Sequence, residues 1–252
     1  MPPFVDHRSI VRTIWGRPDT VLFIFAGAAA EFALNKSVDW LYFTGRLPAD
    51  PISRLFSTVA YARKIIFSEG VASVEAVDQI TAVHRSVEKS RGQSIPDWAY
   101  RDVLYMLIDY SRAAYEQLER RMTDREKEDL FDVFHRVGLR MGLSELPTSY
   151  TAWTIDRQLH LQRDLQPSAF TTDLFGKYRE HLGTWRYKVL VEVQKQLVPA
   201  QVRKLLGFSN TSWFGPVLAC YRVLRLTRLE RILIPWLLPS KYREQVREFG
   251  RW

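Results

Sequence analysis

Apolar residues recur every three or four positions along most of this chain, whereas the strict alternation that marks β-strands is scarce. One apolar stripe follows Ser73, and its members are Val74, Val77, Ile80, Val83 and Val87. A second stripe follows Thr123, whose spacing to Glu126 predicts a capping box at a helix start. Its members are Leu130, Phe131, Phe134, Val137 and Met141. The pattern predicts an all-α protein.

Residues that begin and end helices punctuate the same pattern. Asp50 before Pro51 predicts an N-cap followed by a proline in the first turn. Asp97, directly after Pro96, predicts a third helix start. Further helices are predicted over about 148–165, 172–197 and 199–207, and short basic amphipathic helices over 215–249.

Length and composition indicate one soluble-type globular domain. The chain has 252 residues, of which 46% are apolar and 25% charged, and it contains no internal repeat or long linker. We predict a helical domain over 1–208, with the C-terminal helices of 209–252 packed on it. A single cysteine, Cys220, excludes an internal disulfide, a Cys-based zinc site and a Cys-ligated iron–sulfur cluster.

The sequence offers no secretion signal or transmembrane span. Asp6, His7 and Arg8 precede any apolar stretch. The apolar run over 21–34 is interrupted by Glu31 and is shorter than the roughly 20 residues needed to span a bilayer. We therefore expect a buried core helix at 21–34 and a cytoplasmic protein.

The positive charge of the chain is concentrated at its C-terminal end. The net charge is +8, and residues 199–252 hold ten basic and three acidic residues, a difference of +7. Apolar residues share this segment: Ile232, Leu233, Ile234, Trp236, Leu237 and Leu238. The combination predicts peripheral contact with an anionic membrane, or else a solvated helical surface packed on the domain. No nucleic-acid partner is expected, since no recognition motif accompanies the charge.

His84 is the most distinctive of the five histidines. It lies four residues after Ile80 and seven after Val77, so it shares their helix face. A neutral imidazole on an apolar face can be an axial ligand for haem, or a core histidine bonded to a backbone carbonyl. His7, His135, His160 and His181 form no pair at a metal-ligand spacing of the His-x-x-x-His or Glu-x-x-His type.

Three further side chains carry candidate chemistry. Arg54 and Thr58 are four residues apart and share a helix face, where the arginine either meets a buried anion or lies at the surface. Asp109 lies inside the apolar run 103–110, so we expect it to pair with an arginine or a histidine. No G-x-S-x-G elbow or P-loop occurs in the sequence.

Together these elements resemble the haem-b oxygenases typified by the latex clearing protein and the fungal MpaB oxygenase. The likeness covers about 27–164 and includes the family's helix motif DP-x-x-RL-x-x-T, followed after about 30 residues by a histidine. The first element matches Asp50, Pro51, Arg54, Leu55 and Thr58, and His84 follows Arg54 by 30 residues. A later element matches Arg136, Val137, Gly138, Gly142, Leu143 and Pro147.

The resemblance implies a globin-like helical core with additional helices, in which His84 is the proximal ligand of haem b. It implies that Arg54 and Thr58 line the haem pocket and that Asp39 is the candidate base. The family's latex-clearing members carry a lysine before the threonine, whereas Ser57 stands here, so an open or water-bound distal position is expected. The implied reaction is cleavage of a carbon–carbon double bond by O2 in a prenyl-like or other hydrophobic alkene.

Two other functions remain open from the sequence. The same fold could hold haem or a lipid-like ligand without turnover. Alternatively, the protein is a basic peripheral membrane protein that acts through 199–252. The sequence does not predict an oligomeric state.

Overall fold

The structure is a computed structural model that describes residues 3–45, 49–227 and 237–243. These ranges contain twelve α-helices and no β-strand, which confirms the all-α prediction. The helices are α1 (Ile10–Trp15), α2 (Pro18–Phe32), α3 (Val38–Phe43), α4 (Pro51–Phe67), α5 (Val71–Arg91), α6 (Asp97–Leu118), α7 (Asp124–Arg140), α8 (Tyr150–Arg163), α9 (Ala169–Leu182), α10 (Thr184–Leu197), α11 (Ala200–Leu205) and α12 (Phe214–Leu226), followed by a 3₁₀ helix at Ser240–Tyr242.

The helix starts predicted at Asp50, Asp97 and Thr123 are confirmed, and one predicted helix is wrong. The Asp50 side chain accepts a hydrogen bond from the backbone N–H of Ser53 at the start of α4. Thr123 and Glu126 form both bonds of the capping box of α7. The single helix predicted over 172–197 is instead divided into α9 and α10 at Gly183. That glycine has φ of 75°, a conformation that residues with a side chain rarely adopt.

The centre of the molecule is the pair formed by α2 and α6, which α10 covers. Gly27 of α2 allows this close approach, because a Cβ at that position would lie 2.2 Å from a ring carbon of Tyr110 on α6. As expected for the apolar run over 21–34, most of α2 is buried. Helices α1 and α7 pack on one side of this core, while α4 and α5 form an antiparallel hairpin at its edge.

A buried ion network joins three of the core helices. The Arg157 guanidinium on α8 donates two hydrogen bonds of 2.6 Å to the carboxylate of Glu31 on α2. It also donates to Asp109 on α6 at 3.2 Å, and Arg112 pairs with the other oxygen of Asp109 at 2.7 Å. These two arginines lower the pKa of Asp109 although burial alone would raise it. The expected partner of Asp109 is therefore arginine.

The described part of the basic C-terminal segment is tied to the core. Arg225 of α12 is buried and pairs with Asp19 at 2.6 Å and with Glu119 at 2.9 Å. Arg222 donates to the backbone carbonyl of Gln117 at 2.7 Å, near the C-terminal end of α6. The apolar residues at 232–236 lie outside the described residues, and the domain division at 208 stays a prediction. None of the helices in the described ranges combines the length and the apolar character that crossing a bilayer requires.

Candidate functional site

The α4–α5 hairpin brings together the residues that the sequence singled out at 54, 58 and 84. Asp50 caps α4, so Arg54 and Thr58 stand one turn apart on its first half. The Arg54 guanidinium donates to the hydroxyl oxygens of Thr58 and Ser57, both at 3.0 Å. These bonds orient the arginine along the helix, and its positive charge acts on the His84 ring of α5.

His84 is half-buried, and its Nδ1 atom is buried without a hydrogen-bond partner. The edge-to-face contact of its ring with Tyr100 of α6 has a centroid distance of 5.1 Å. The predicted stripe on this helix is only partly buried, since Val77 is fully buried whereas Val83 is 45% exposed. The second half of α5 therefore leaves an imidazole beside an incompletely covered apolar face.

The surroundings of His84 favour the neutral form of its imidazole. Burial lowers the pKa of His84 because it disfavours the charged ring, and the positive Arg54 lowers it further. Glu88, one turn further along α5, acts in the opposite direction, but the pKa stays below its ordinary value. A neutral ring with a nitrogen lone pair is the form that ligates iron. The residues therefore fit a haem.

Asp39 is placed on the same side of α5 as His84, but in an ion pair. Its carboxylate on α3 accepts a hydrogen bond of 2.6 Å from Arg91, whose guanidinium lies 4.0 Å from the centroid of the Trp40 ring. Arg91 follows His84 by seven residues, so the two share a helix face and stand about 10 Å apart along the axis. Phe43, four residues after Asp39, is 49% exposed and therefore covers little of this face.

A second cluster of chemistry-bearing residues was missed by the sequence analysis. Asp102 of α6 and His160 and Asp164 at the end of α8 are all buried and close together. The sequence did contain a clue, because Asp156, His160 and Asp164 follow one another at intervals of four on one helix face. Only the fold adds Asp102, which lies 58 residues before His160.

Two of the cavities in the described part of the structure border helices named above. The smaller, about 70 Å³, is almost wholly apolar and runs between α4 and α2; its lining includes Ile52, Leu55, Phe56, Leu22 and Phe25. It lies on the α2 side of α4, and Arg54 is not among its lining residues. The larger, about 340 Å³, is polar and lined mainly by α6, α8 and 197–199. Asp109 lines it, but the residues at 39, 54, 58 and 84 do not, so we take the hairpin as the candidate site.

The described helices make this an all-α protein, and at the edge of its core the imidazole of His84 has no hydrogen bond at Nδ1. The chain belongs to the family described as ER-bound oxygenase mpaB/B′ and rubber oxygenase, whose catalytic-domain model matches residues 12–247. The resemblance read from the sequence is thereby confirmed, and the chain is an oxygenase catalytic domain. No curated protein and no solved structure gives a match to it.

Proposed function

We propose that this protein is a haem-b-dependent oxygenase that uses O2 to cleave a carbon–carbon double bond in a hydrophobic, prenyl-like alkene. The observation that carries the proposal is the buried, unpartnered Nδ1 of His84, next to the positive charge of Arg54. An imidazole left without a partner inside a folded chain is uncommon, because buried polar atoms are nearly always hydrogen-bonded. Because no hydrogen bond fixes the ring at Nδ1, the imidazole could turn to hold a haem iron.

Three residues of the hairpin would hold the cofactor. His84 would hold the haem iron through its imidazole, in which burial and Arg54 favour the neutral form. Arg54 supplies a guanidinium for a haem propionate, and Thr58 accepts a hydrogen bond from Arg54 that fixes its direction. Bound haem would supply the activation of O2 on which the cleavage depends.

The chain's own contribution to the reaction is an apolar setting for the substrate. Leu55 and Ile52 line the apolar cavity between α4 and α2, on a different face of α4 from Arg54. At about 70 Å³ this cavity lies below the roughly 300 Å³ at the lower end of small-molecule sites, so substrate entry must widen it. In this proposal Asp39 acts as a base only when its ion pair with Arg91 opens.

The first experiment compares haem binding by the wild type with that by His84→Ala. We expect the wild type to bind one haem with an intense Soret band and the variant to lose it. His135→Ala is the matched control, because His135 stacks on Phe131 of α7 and should leave the band unchanged. A full Soret band in His84→Ala would show that the ligand is elsewhere.

The second experiment tests Arg54 against a lysine on the same helix. Loss of a charge-assisted bond of about 1.5–3 kcal/mol should weaken haem binding about 10- to 100-fold in Arg54→Ala. Lys64→Ala, which removes an exposed contact with Gln79, should bind haem normally. Equal affinities for the two variants would place Arg54 outside the haem pocket.

Product analysis separates the oxygenase from the other two functions. Carbonyl fragments formed from a prenylated alkene under O2 support the oxygenase. A Soret band without products supports a haem or lipid-like ligand carrier, and no Soret band supports a basic peripheral membrane protein.

Peripheral membrane contact is also proposed, because the outer face of α12 exposes large apolar side chains. Trp213 at its start is 55% exposed and Val223 is 63% exposed. Tryptophan and aliphatic side chains beside basic residues suit the interface of an anionic leaflet. Such contact would hold the enzyme close to a lipid-dissolved substrate, with the rest of the molecule in the cytoplasm.

A further inference from the structure

The second histidine cluster is independent of the proposed haem site and lies on other helices. His160 is 3% exposed, Asp102 2% and Asp164 4%. The ligand atoms of these three side chains all lie within 4.8 Å of one another. They join α6 to the end of α8, whereas His84 and Arg54 belong to the α4–α5 hairpin.

At the centre of the cluster one ring nitrogen faces two carboxylates. The Nδ1 atom of His160 faces Asp102 Oδ1 and, at 3.2 Å, Asp164 Oδ2. One ring nitrogen carries at most one hydrogen, so it cannot donate fully to two carboxylates. A cation between the three atoms would contact all of them.

The donor set and its spacing match a divalent transition-metal ion. One imidazole nitrogen and two carboxylate oxygens are ligands for Zn²⁺ and related ions. Two ligand atoms at about 2.0–2.1 Å from a tetrahedral zinc are roughly 3.4 Å apart, close to the 3.2 Å between Nδ1 of His160 and Asp164 Oδ2. Asp102 Oδ1 lies closer to Nδ1 than that and would move outward as the ion enters. The two carboxylates, against the one guanidinium of Arg163, leave negative charge that a cation would offset.

Further hydrogen bonds hold the two carboxylates of the cluster in fixed orientations. Asp102 uses its other oxygen to accept a 2.6 Å hydrogen bond from Asn35, whose own carbonyl oxygen accepts from the backbone N–H of Ser37. Arg163 donates two bonds of 2.7 Å to Asp164, one to each oxygen, so Oδ2 would be shared between this guanidinium and the ion. Such second contacts hold ligating carboxylates in place. The charge of Arg163 is weakened at this point, because its side chain is 56% exposed to water.

We propose that Asp102, His160 and Asp164 form a structural binding site for one divalent transition-metal ion, with a water completing the coordination. The ion would fasten α6, the end of α8 and the turn between α2 and α3. It is separate from the haem iron and takes no part in the reaction.

The test measures zinc and iron separately on the full-length protein. After treatment with a chelator and return to excess ZnCl2, gel-filtered wild type should retain about one zinc per chain by elemental analysis. X-ray absorption should show only nitrogen and oxygen neighbours at about 2.0–2.2 Å. Removing the zinc should lower the Tm, and adding it back should restore it.

Variants locate the ion. Asp102→Asn and Asp164→Asn should each bind zinc at least 10-fold more weakly. Asp156→Asn is the matched control on the same helix, since Asp156 faces the other ring nitrogen at 3.8 Å. His84→Ala should also keep its zinc while losing haem.

Wild type that retains no zinc overturns the proposal, whether or not the variants fold. Equal zinc affinity in Asp164→Asn and Asp156→Asn overturns it as well. In either case the cluster is a set of buried hydrogen bonds without a metal ion.

Discussion

The regions around His84 and His160 differ in how their polar groups are paired. The ring of His84 lies half-buried at the edge of the molecule, with Nδ1 lacking a partner. The ring of His160 is fully buried, and two carboxylates face its Nδ1. Around His84 no group of the described residues bonds to the ring nitrogen Nδ1, whereas the carboxylates around His160 give an excess of negative charge.

The same contrast extends to the elements that carry the two histidines. The core helices α2, α6 and α8 are joined by the buried pairs among Glu31, Asp109 and Arg157. The α4–α5 hairpin has no comparable buried ion pair between its described residues, and the second half of α5 around His84 is only partly covered. Completed pairs therefore hold the core together, while incomplete ones mark where a ligand is expected.

The largest effect should come from breaking the core network. In Arg157→Met the buried carboxylate of Glu31 loses its ion pair and Asp109 keeps only Arg112, and we expect a loss of about 3–5 kcal/mol in the free energy of unfolding. Urea unfolding followed by circular dichroism measures it. Lys177→Met, which breaks a surface pair with Glu180, is the control and should change less than about 1 kcal/mol. Similar losses in both variants would contradict the distinction between core and surface.

An intermediate effect is expected where the C-terminal segment reaches the α4 cap. The Tyr242 hydroxyl donates to Asp50 at 2.7 Å, and Tyr242→Phe should lose about 1.5–3 kcal/mol of unfolding free energy. Burial would raise the pKa of Asp50, but hydrogen bonds from Ser53, Tyr242 and Lys241 lower it to about 2.

The effect of pH on the stability difference between wild type and Tyr242→Phe tests whether the hydrogen bond to Asp50 causes that difference. A carboxyl group whose pKa is lowered by folding stabilises the native state above its unfolded pKa of about 4. The advantage of wild type over Tyr242→Phe should therefore be complete above about pH 5 and shrink as pH falls from about 4 toward 2. An advantage that stays constant over this range would assign the stability of Tyr242 to its packing on Phe56 instead.

A smaller effect is expected from His84→Ala in the haem-free protein. Because the ring is half-buried and its Nδ1 has no hydrogen bond, its removal should change the free energy of unfolding by about 1 kcal/mol or less. The measurement is urea unfolding of the haem-free protein, with Arg157→Met measured in parallel. A loss as large as that of Arg157→Met would make His84 a core histidine and remove the contrast.

The smallest effect is expected for α12, because one of its faces is paired with the core and the other is exposed. Its inner face pairs Arg225 with Asp19, and its outer face exposes Trp213 and Val223. Trp213→Ala should reduce co-sedimentation with anionic vesicles at low salt a few-fold and leave stability unchanged, since the ring is exposed. Binding that Trp213→Ala does not alter, or none at all by wild type, leaves α12 a purely packed helix.

Local signals in the sequence determined the helices, most of their starts and the family. The N-cap at Asp50, the capping box at Thr123 and the order of the motifs up to Pro147 depend on neighbours within a few residues or on fixed spacing. The exception was Gly183, whose left-handed backbone divides α9 from α10 although the apolar pattern continues through it.

Only the tertiary structure decided which distant side chains meet. Asp102 and His160 are 58 residues apart, and Glu31 and Arg157 are 126 apart, so no local pattern predicts either pair. Likewise, the sequence placed His84 on an apolar face, but its burial was set by how far α4 and α6 cover α5. A helix face is fixed by the 3.6-residue repeat, whereas the partner of each face depends on how whole helices pack.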